Sequence, residues 1–486
     1  MVTLSKLIAG AKDLPIENLM MDSRVTLPQS VFFCVKGLKN DGHQFIDQAI
    51  SNGAICIVYS DPLDTFRDGI EYIEAENVID VLNRCADLFY GQPSSKLNVI
   101  GVTGTNGKST IALTIKNILN HYKPTGYIGT ISIEYNDVKT LPLLTTPEIT
   151  QIHLILAQMV EFGMQAVTLE VSSQGLEQAR VNSVNFDIAI FTNLTHDHLD
   201  YHGTMENYFL AKSRLFNLIG NDKTAIINID DPYGKRLAQN CQANVVTYGI
   251  AEDAVYMAKN IQILFDKTIF NLHYDDEIYP VETNMVALFN VYNLLAVIAA
   301  CHESGMKIED IIAYAQTIDP VDGRMERIDQ GQNFNVIVDY AHTPDGFEKI
   351  FKFADDITPK GKRILAVFGA AGKRDTKKRP ILGEIADRYC DMIILTEEDP
   401  RGETPHGIAQ QIAKGITRSN YSIVEDRYDA IRQALEIANE NDTVLILAKG
   451  NETYMYRDFG REPWIGDDMA CREILRDVIL NKEEIE

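Results

Sequence analysis

A short glycine loop carries the first chemistry legible in the sequence. Residues 102–113 read VTGTNGKSTIAL. Phosphate loops of the common kind place four residues between the first glycine and the Gly-Lys pair. Here only Thr105 and Asn106 separate Gly104 from Gly107 and Lys108. A glycine turn between a buried strand and a helix start directs backbone N–H groups and the positive end of the helix dipole at a phosphate. Lys108 supplies a charge for the outer phosphates, and Ser109 or Thr110 a hydroxyl for Mg²⁺. Glu170 closes the apolar run QAVTLEV, and the carboxyl ends of parallel strands are where ligands bind. A carboxylate there suits a nucleotide-bound Mg²⁺. Further on, THDHLDYH brings His196, His198 and His202 together with Asp197 and Asp200. No cysteine joins them and the spacing matches no zinc motif. Lys212 follows on an amphipathic helical pattern.

The elements that must position these groups fall into three segments. The first, 1–96, alternates short apolar runs (SVFFCV, AICIVY) with helical patterns (HQFIDQAISNG, VIDVLNRCADLFYG) and ends in the polar stretch QPSSK. It reads as a small α/β domain. The second, 97–327, opens with the strand LNVIGV, the glycine loop and a helix, KSTIALTIKNILNHY. The runs QAVTLEV, FDIAIFTNL and TAIINI follow, as buried parallel strands require. KTIFNLHYDDEIYPVE alternates about its central Asp-Asp as a hairpin does, and NVYNLLAVIAACHESG is a helix ending at glycine. The third, 328–486, repeats the strand–helix rhythm with FNVIVDYAH, RILAVFGAAG, DMIILTEE and DTVLILAKG, a Rossmann-like unit. The predicted fold is therefore α/β in three domains, the central one built on a mostly parallel sheet.

Composition narrows the partners. The 486 residues leave room for about three domains. A net charge of −24 argues against a nucleic-acid partner, which needs a basic footprint. It leaves open an anionic small substrate met by a local cluster of bases. The N-terminus lacks the apolar core of a signal peptide. No stretch approaches the roughly 20 apolar residues of a membrane span. The seven cysteines are scattered and never form CxxC, as in a reduced, cytoplasmic protein without structural zinc.

Taken together, the motifs resemble the Mur ligase family, the ATP-dependent amide-forming ligases of peptidoglycan synthesis, and within it the MurE branch. That family uses a short Gly-Thr-x-Gly-Lys loop. Its motifs recur in order along nearly the whole chain: GTNGKST, TTPE, EVSS, NLTHDHLD, AKSRLF, FNVYN, DGRME, DYAHTPDG and GKRDTKKRP. The resemblance implies an ATP site on Gly104, Thr105, Asn106, Gly107, Lys108, Ser109 and Thr110. Asn290 and Asn293 are placed near the adenine, and Arg324, Asp339 and His342 on the far side of the nucleotide. It implies Mg²⁺ held by Ser109 (or Thr110) and Glu170, and a second Mg²⁺ held by His198 and by Lys212 as its carbamate (N6-carboxylysine). Lys108, Glu170, His198 and Lys212 are thus the implied catalytic set.

The implied substrates are UDP-N-acetylmuramoyl-L-alanyl-D-glutamate and a diamino acid, joined by a monomeric cytoplasmic enzyme. Thr145, Thr146, Ser172 and Arg180 are implied to contact the muramoyl-dipeptide, and Ser23, in the DSR at 22–24, the uracil. Arg374, Asp399, Arg401 and Glu452 are implied to meet the amino acid. The family pattern departs at Ser109 (for threonine), Gln174 (for histidine), Leu288 and Ala448 (for glycine) and Asp399 (for asparagine). Arg401 favours meso-diaminopimelate slightly over L-lysine, because a guanidinium suits a distal carboxylate. Two rivals remain at this point: a folylpolyglutamate synthase-like ligase, and a non-catalytic nucleotide-binding protein.

Overall fold

The computed structural model describes residues 2–24, 27–37, 40–318 and 320–483, with side chains to residue 477. Its strands form three main sheets, one per segment.

The first sheet has four parallel strands in chain order, Asn18–Met20, Ser30–Phe33, Ala54–Tyr59 and Glu71–Glu74. Alternation along Ser30–Phe33 sends Val31 and Phe33 to one face and Phe32 to the other, and each face has its own core. Helix Val78–Phe89 covers the Val31 face with Val78, Leu82 and Cys85, and Asn77 caps it by accepting from the Ile79 and Asp80 N–H groups. The stretch read as a polar linker is instead a turn of 3₁₀-helix, Pro93–Lys96, with Pro93 and Ser94 buried. The Ser94 hydroxyl accepts from the Asn185 N–H, which ties the linker to the central domain.

The central sheet has eleven strands. Seven are parallel, in the spatial order Thr125–Ile128, Ala166–Glu170, Asn98–Thr103, Ile188–Phe191, Thr224–Asn228, Asn244–Gly249 and Tyr256–Ile263. The expected hairpin, Thr268–Tyr274 with Glu277–Thr283, extends one edge. Apolar layers fill both faces, which is why the strands read as continuous hydrophobic runs. Helices Lys108–Leu119 and Leu288–Glu303 lie on one face, and Ile149–Glu161 and Met205–Leu218 on the other. From Asn98–Thr103 the chain first moves toward Thr125–Ile128 and later returns on the other side at Ile188–Phe191. The glycine loop therefore opens at a topological switch point.

The third sheet runs Glu326–Arg327, Asn335–Asp339, Thr443–Leu447, Ile364–Phe368, Met392–Leu395, Tyr421–Ile423, parallel except for its first strand. Helices Pro344–Ile357, Lys378–Tyr389 and Pro405–Ala413 pack on one face, and Arg427–Ile437 and Asp467–Glu483 on the other. Thr343-Pro344 and Thr404-Pro405 start two of them, the threonine hydroxyl capping and the proline filling a position that needs no N–H. All seven cysteines are free, and six are buried. Among the described residues no helix is long and apolar enough to cross a membrane.

Candidate active site

The glycine loop turns from Thr103 into a helix that starts at Lys108. Gly107 holds φ +89°, and a Cβ there would lie 2.6 Å from Asn293 Oδ1, so backbone conformation and space both call for glycine. Lys108 Nζ donates to the Gly104 and Thr105 carbonyls at 3.0 and 2.9 Å, folding back over the loop. Burial draws this lysine below its ordinary pKa, against the opposing pull of Glu170 and Asp197. Asn193, which sequence reasoning missed, splints the loop: its side-chain oxygen accepts from the Asn106 N–H and its carbonyl from the Thr105 N–H.

Glu170 is fully buried at its strand end. Its Oε1 accepts from the Tyr127 hydroxyl at 2.6 Å and the Thr130 N–H at 2.8 Å, while its Oε2 accepts from Ser109 Oγ at 2.9 Å. The carboxylate is thus aimed at the loop hydroxyl by Tyr127 of the neighbouring strand and by Thr130 just beyond that strand's end. Thr145 joins the same group through the Thr130 hydroxyl at 3.0 Å. Thr146 donates to the Glu170 carbonyl and accepts from the Ser172 N–H, and the Arg180 guanidinium donates to the Thr146 carbonyl at 2.8 Å. Thr145, Thr146, Ser172 and Arg180 therefore form one connected patch beside Glu170.

Lys212 is 1% exposed. Its Nζ donates to the Gly104 carbonyl at 2.7 Å and lies 4.6 Å from the centre of the Tyr208 ring. No carboxylate pairs with it among the described residues. Burial, with Lys108 adding repulsion, holds its pKa well below the ordinary lysine value. His198, with φ +53°, stays partly open to solvent and sits 3.3 Å from Asp197. The tight cluster of potential metal ligands among the described residues lies elsewhere, at Asp41, His43 and Asp61. There His43 is already committed, Nδ1 to Asp41 and Nε2 to the Ser60 and Asp61 N–H groups.

A cavity of about 740 Å³ opens over the loop. It brings together Thr105, Asn106, Lys108, Ser109, Thr110, Thr145, Glu170, Ser172 and His198 with Asn290, Asn293, Arg324, Asp339 and His342. Asn293 donates to Asn290 Oδ1 at 2.9 Å. Arg324 stacks over Tyr340 at 4.0 Å. Both Asp339 oxygens accept backbone N–H bonds, from Met325 and Ala341, so Asp339 shapes the wall around Arg324. The third domain closes the cavity: Asp345 Oδ2 accepts from Asn106 Nδ2 at 2.8 Å, and His196 meets Asp375 at 3.2 Å.

The remaining expected residues lie outside this cavity. Arg401 donates to Asp399 at 3.0 Å and lies 4.6 Å from the Tyr456 ring. Lys449, a second residue sequence reasoning missed, donates to both Asp399 and Glu452. The neighbouring Glu398 carboxyl is pushed up to about 7, mainly by burial. Arg374 is exposed, whereas Arg379 is buried and clamps Glu403. Ala448 holds φ +88°, a geometry that glycine adopts without strain. In the first domain Ser23 is buried and donates to Gln48 at 2.8 Å, while Arg24 is exposed and pairs with Asp22.

Comparison with known proteins agrees with this architecture along the chain. The Mur ligase family catalytic domain matches residues 15–89, the Mur ligase middle domain 102–301, and the Mur ligase glutamate ligase domain 323–450. A UDP-N-acetylmuramoyl-L-alanyl-D-glutamate–2,6-diaminopimelate ligase of Geobacillus thermodenitrificans is 42% identical over 463 residues, 93% of this chain and 92% of that protein. A solved structure of a ligase of the same description superposes with a TM-score of 0.70 at 28% identity, covering 99% of both chains. A folylpolyglutamate synthase of Mycobacterium tuberculosis covers only 75% of this chain, at 15% identity and a TM-score of 0.63, a likeness of fold alone. With three matching domains in order and 42% identity over nearly its full length, the chain belongs to the Mur ligase family.

Proposed function

We infer that the chain is an ATP-dependent ligase that adds a diamino acid to UDP-N-acetylmuramoyl-L-alanyl-D-glutamate, yielding the UDP-tripeptide, ADP and phosphate. The observation that carries the catalytic reading is Lys212, a buried amine behind the phosphate loop with no paired carboxylate among the described residues. A protein that only binds nucleotide has no use for it. A depressed pKa favours the neutral amine, the form that takes up CO₂, and the carbamate would place a negative oxygen ligand beside the loop.

The donors fit Mg²⁺, which binds through one or two carboxylates and substrate phosphates and keeps its waters. Ser109 and Glu170 would hold one ion, and His198 with carbamylated Lys212 the other. When bound, the metal neutralises charge that gathers on the transferring phosphoryl group. The chain's own residues do the rest. The loop N–H groups and Lys108 cradle the β- and γ-phosphates, and Asn290, Asn293 and Arg324 orient the nucleoside. Thr145, Thr146, Ser172 and Arg180 present the D-glutamyl carboxylate. It becomes an acyl phosphate by attack on the γ-phosphorus, with ADP leaving. The incoming amine then attacks the acyl carbon and phosphate departs. Water competes for that acyl phosphate, so closure of the third domain over the cavity protects it.

For the third residue we propose meso-diaminopimelate over L-lysine, with Arg401 toward the distal carboxylate and Glu452 toward the distal ammonium. Ser23 and Arg24 serve the UDP end. We read the chain as a monomer acting in the cytoplasm, where ATP and nucleotide sugars are made. Phosphate release from ATP should require both the nucleotide sugar and a diamino acid. Release without an amino acid, or with a folate in place of the nucleotide sugar, would refute the assignment.

A further inference from the structure

Asp399 stands between the groups expected to read the amino acid, and it faces inward. It is 4% exposed. Its Oδ1 accepts from Lys449 Nζ at 2.9 Å and from the Tyr456 N–H at 3.0 Å, and its Oδ2 accepts from Arg401 Nη2 at 3.0 Å. Lys449 has no exposed surface and donates in turn to Glu452 Oε2 at 2.6 Å. Charges therefore alternate along Arg401, Asp399, Lys449 and Glu452. Burial alone would lower the lysine, but Glu452 and Asp399 outweigh it and keep the ammonium charged. Two anchors fix Asp399 in place, so it cannot swing away from Arg401 without breaking buried hydrogen bonds. Arg401 meets its internal carboxylate through one nitrogen only, and its Nε is buried without an acceptor. The guanidinium is thus partly neutralised before any substrate arrives, and it still has donors to spare.

We propose that Asp399 is a specificity-determining residue that serves Arg401 as an internal counter-ion, so that the site accepts diamino acids both with and without a distal carboxylate. The proposal rests on the reading of Arg401 as the group that meets that carboxylate. An amino acid bearing only an ammonium at its far end leaves no bare guanidinium behind, because Asp399 already pairs with it. A second carboxylate gains the spare donors but must lie beside Asp399, which repels it. Discrimination is compressed from both sides. An asparagine has a single acceptor oxygen. Facing Lys449 and the Tyr456 N–H with that oxygen, it turns its amide N–H₂ toward Arg401, donor against donor. The guanidinium is then released to the substrate.

The test compares kcat/KM for meso-diaminopimelate and L-lysine in the wild type, Asp399→Asn, Arg401→Gln and the double variant. The wild type is expected to use both, within about tenfold of each other, as a compressed difference requires. Asp399→Asn should shift the ratio toward diaminopimelate by about tenfold or more, the scale of one charged hydrogen bond. The shift should appear in KM for the amino acids, with KM for ATP unchanged. Arg401→Gln should shift the ratio toward L-lysine, and in that background Asp399→Asn should have no further effect on it. A ratio that Asp399→Asn leaves within about twofold, or moves toward lysine, overturns the proposal, since a charged bond is worth more than that. So does an equal effect of Asp399→Asn with and without Arg401. If Asp399→Asn fails to fold, the wild-type ratio decides: a preference well beyond about tenfold for either amino acid overturns the proposal. If neither amino acid supports phosphate release with the nucleotide sugar, the ligase assignment fails instead.

Discussion

At the residue scale the most demanding group is Lys212. A lysine that is 1% exposed, donates to the Gly104 carbonyl and lies over the Tyr208 ring, with no carboxylate in pairing distance among the described residues, is a poor way to stabilise a fold. The carbamate proposed above would account for that burial. Lys212→Ala is therefore expected to abolish ligase activity, with partial rescue by short-chain carboxylates, which fit the space and supply the missing oxygens. Lys212→Arg should stay inactive, because a guanidinium keeps its charge and forms no carbamate. Near-normal turnover of the arginine variant in a phosphate-release assay would remove the carbamate from the mechanism. Lys212, Lys108, Ser109 and Glu170 were legible in the sequence because each sits in a short ordered motif on or after an apolar run. Tyr127, Thr130 and Lys449 were not. Tyr127 and Thr130 reach Glu170 from a stretch about forty residues earlier, and a lysine shared between Asp399 and Glu452 is indistinguishable in sequence from a solvated one.

At the element scale, two loops of the third domain approach backbone to backbone. The loop after Ile364–Phe368 carries Gly372, and the loop after Met392–Leu395 carries Pro400. A Cβ on Gly372 would lie 1.8 Å from the Pro400 carbonyl oxygen, and the Gly372 N–H donates to the Asp399 carbonyl at 2.7 Å. Gly372→Ala should therefore displace the 399–401 segment. Overpacking of this kind costs about 1–3 kcal/mol. The expected result is a rise in KM for the amino acid of about tenfold or more, with KM for ATP nearly unchanged, since only the former is proposed to meet these loops. Equal damage to both would mean that the whole domain, not the loop, had moved. The strands feeding these loops are apolar throughout and were readable as buried parallel strands. The hairpin was readable too, because Asp275 and Asp276 take the two positive-φ positions of a tight turn. Thr125–Ile128 was missed: it is four residues long and includes a glycine. Tyr256–Ile263 was missed because Lys259, Asn260 and Gln262, which face solvent, break its apolar run. Strand order was not legible either, as crossover connections let a strand dock on either side of its predecessor.

At the scale of the whole molecule, the proposed reaction requires three ligands to be brought together and water to be excluded. The first domain has its own core, which Ile149 of the central domain enters. It is joined to the central domain by Asn83, which donates to the Ala179 carbonyl at 3.0 Å, next to Arg180. The third domain meets the phosphate loop itself, through Asp345 on Asn106. Substitutions at the two ends should therefore separate binding from chemistry. Arg24 is exposed and pairs only with Asp22 among the described residues, so Arg24→Ala leaves the fold intact. It is expected to raise KM for the UDP-dipeptide by about tenfold, the worth of one charge-assisted hydrogen bond, while KM for ATP and kcat hold. Ser23→Ala should act in the same direction by freeing Gln48. Asp345→Ala removes a tie that exists only when the third domain covers the cavity. It should lower kcat by about tenfold through a less populated closed state, with little change in KM for the UDP-dipeptide. Because the two sites share no partner, the combined Arg24→Ala and Asp345→Ala variant should show the product of the two effects. The decisive measurement is the full set of kcat and KM values for the three enzymes. A loss of ATP affinity in Arg24→Ala would contradict the assignment of the UDP end to the first domain. An unchanged kcat in Asp345→Ala would mean that the Asn106–Asp345 contact plays no part in closing the site.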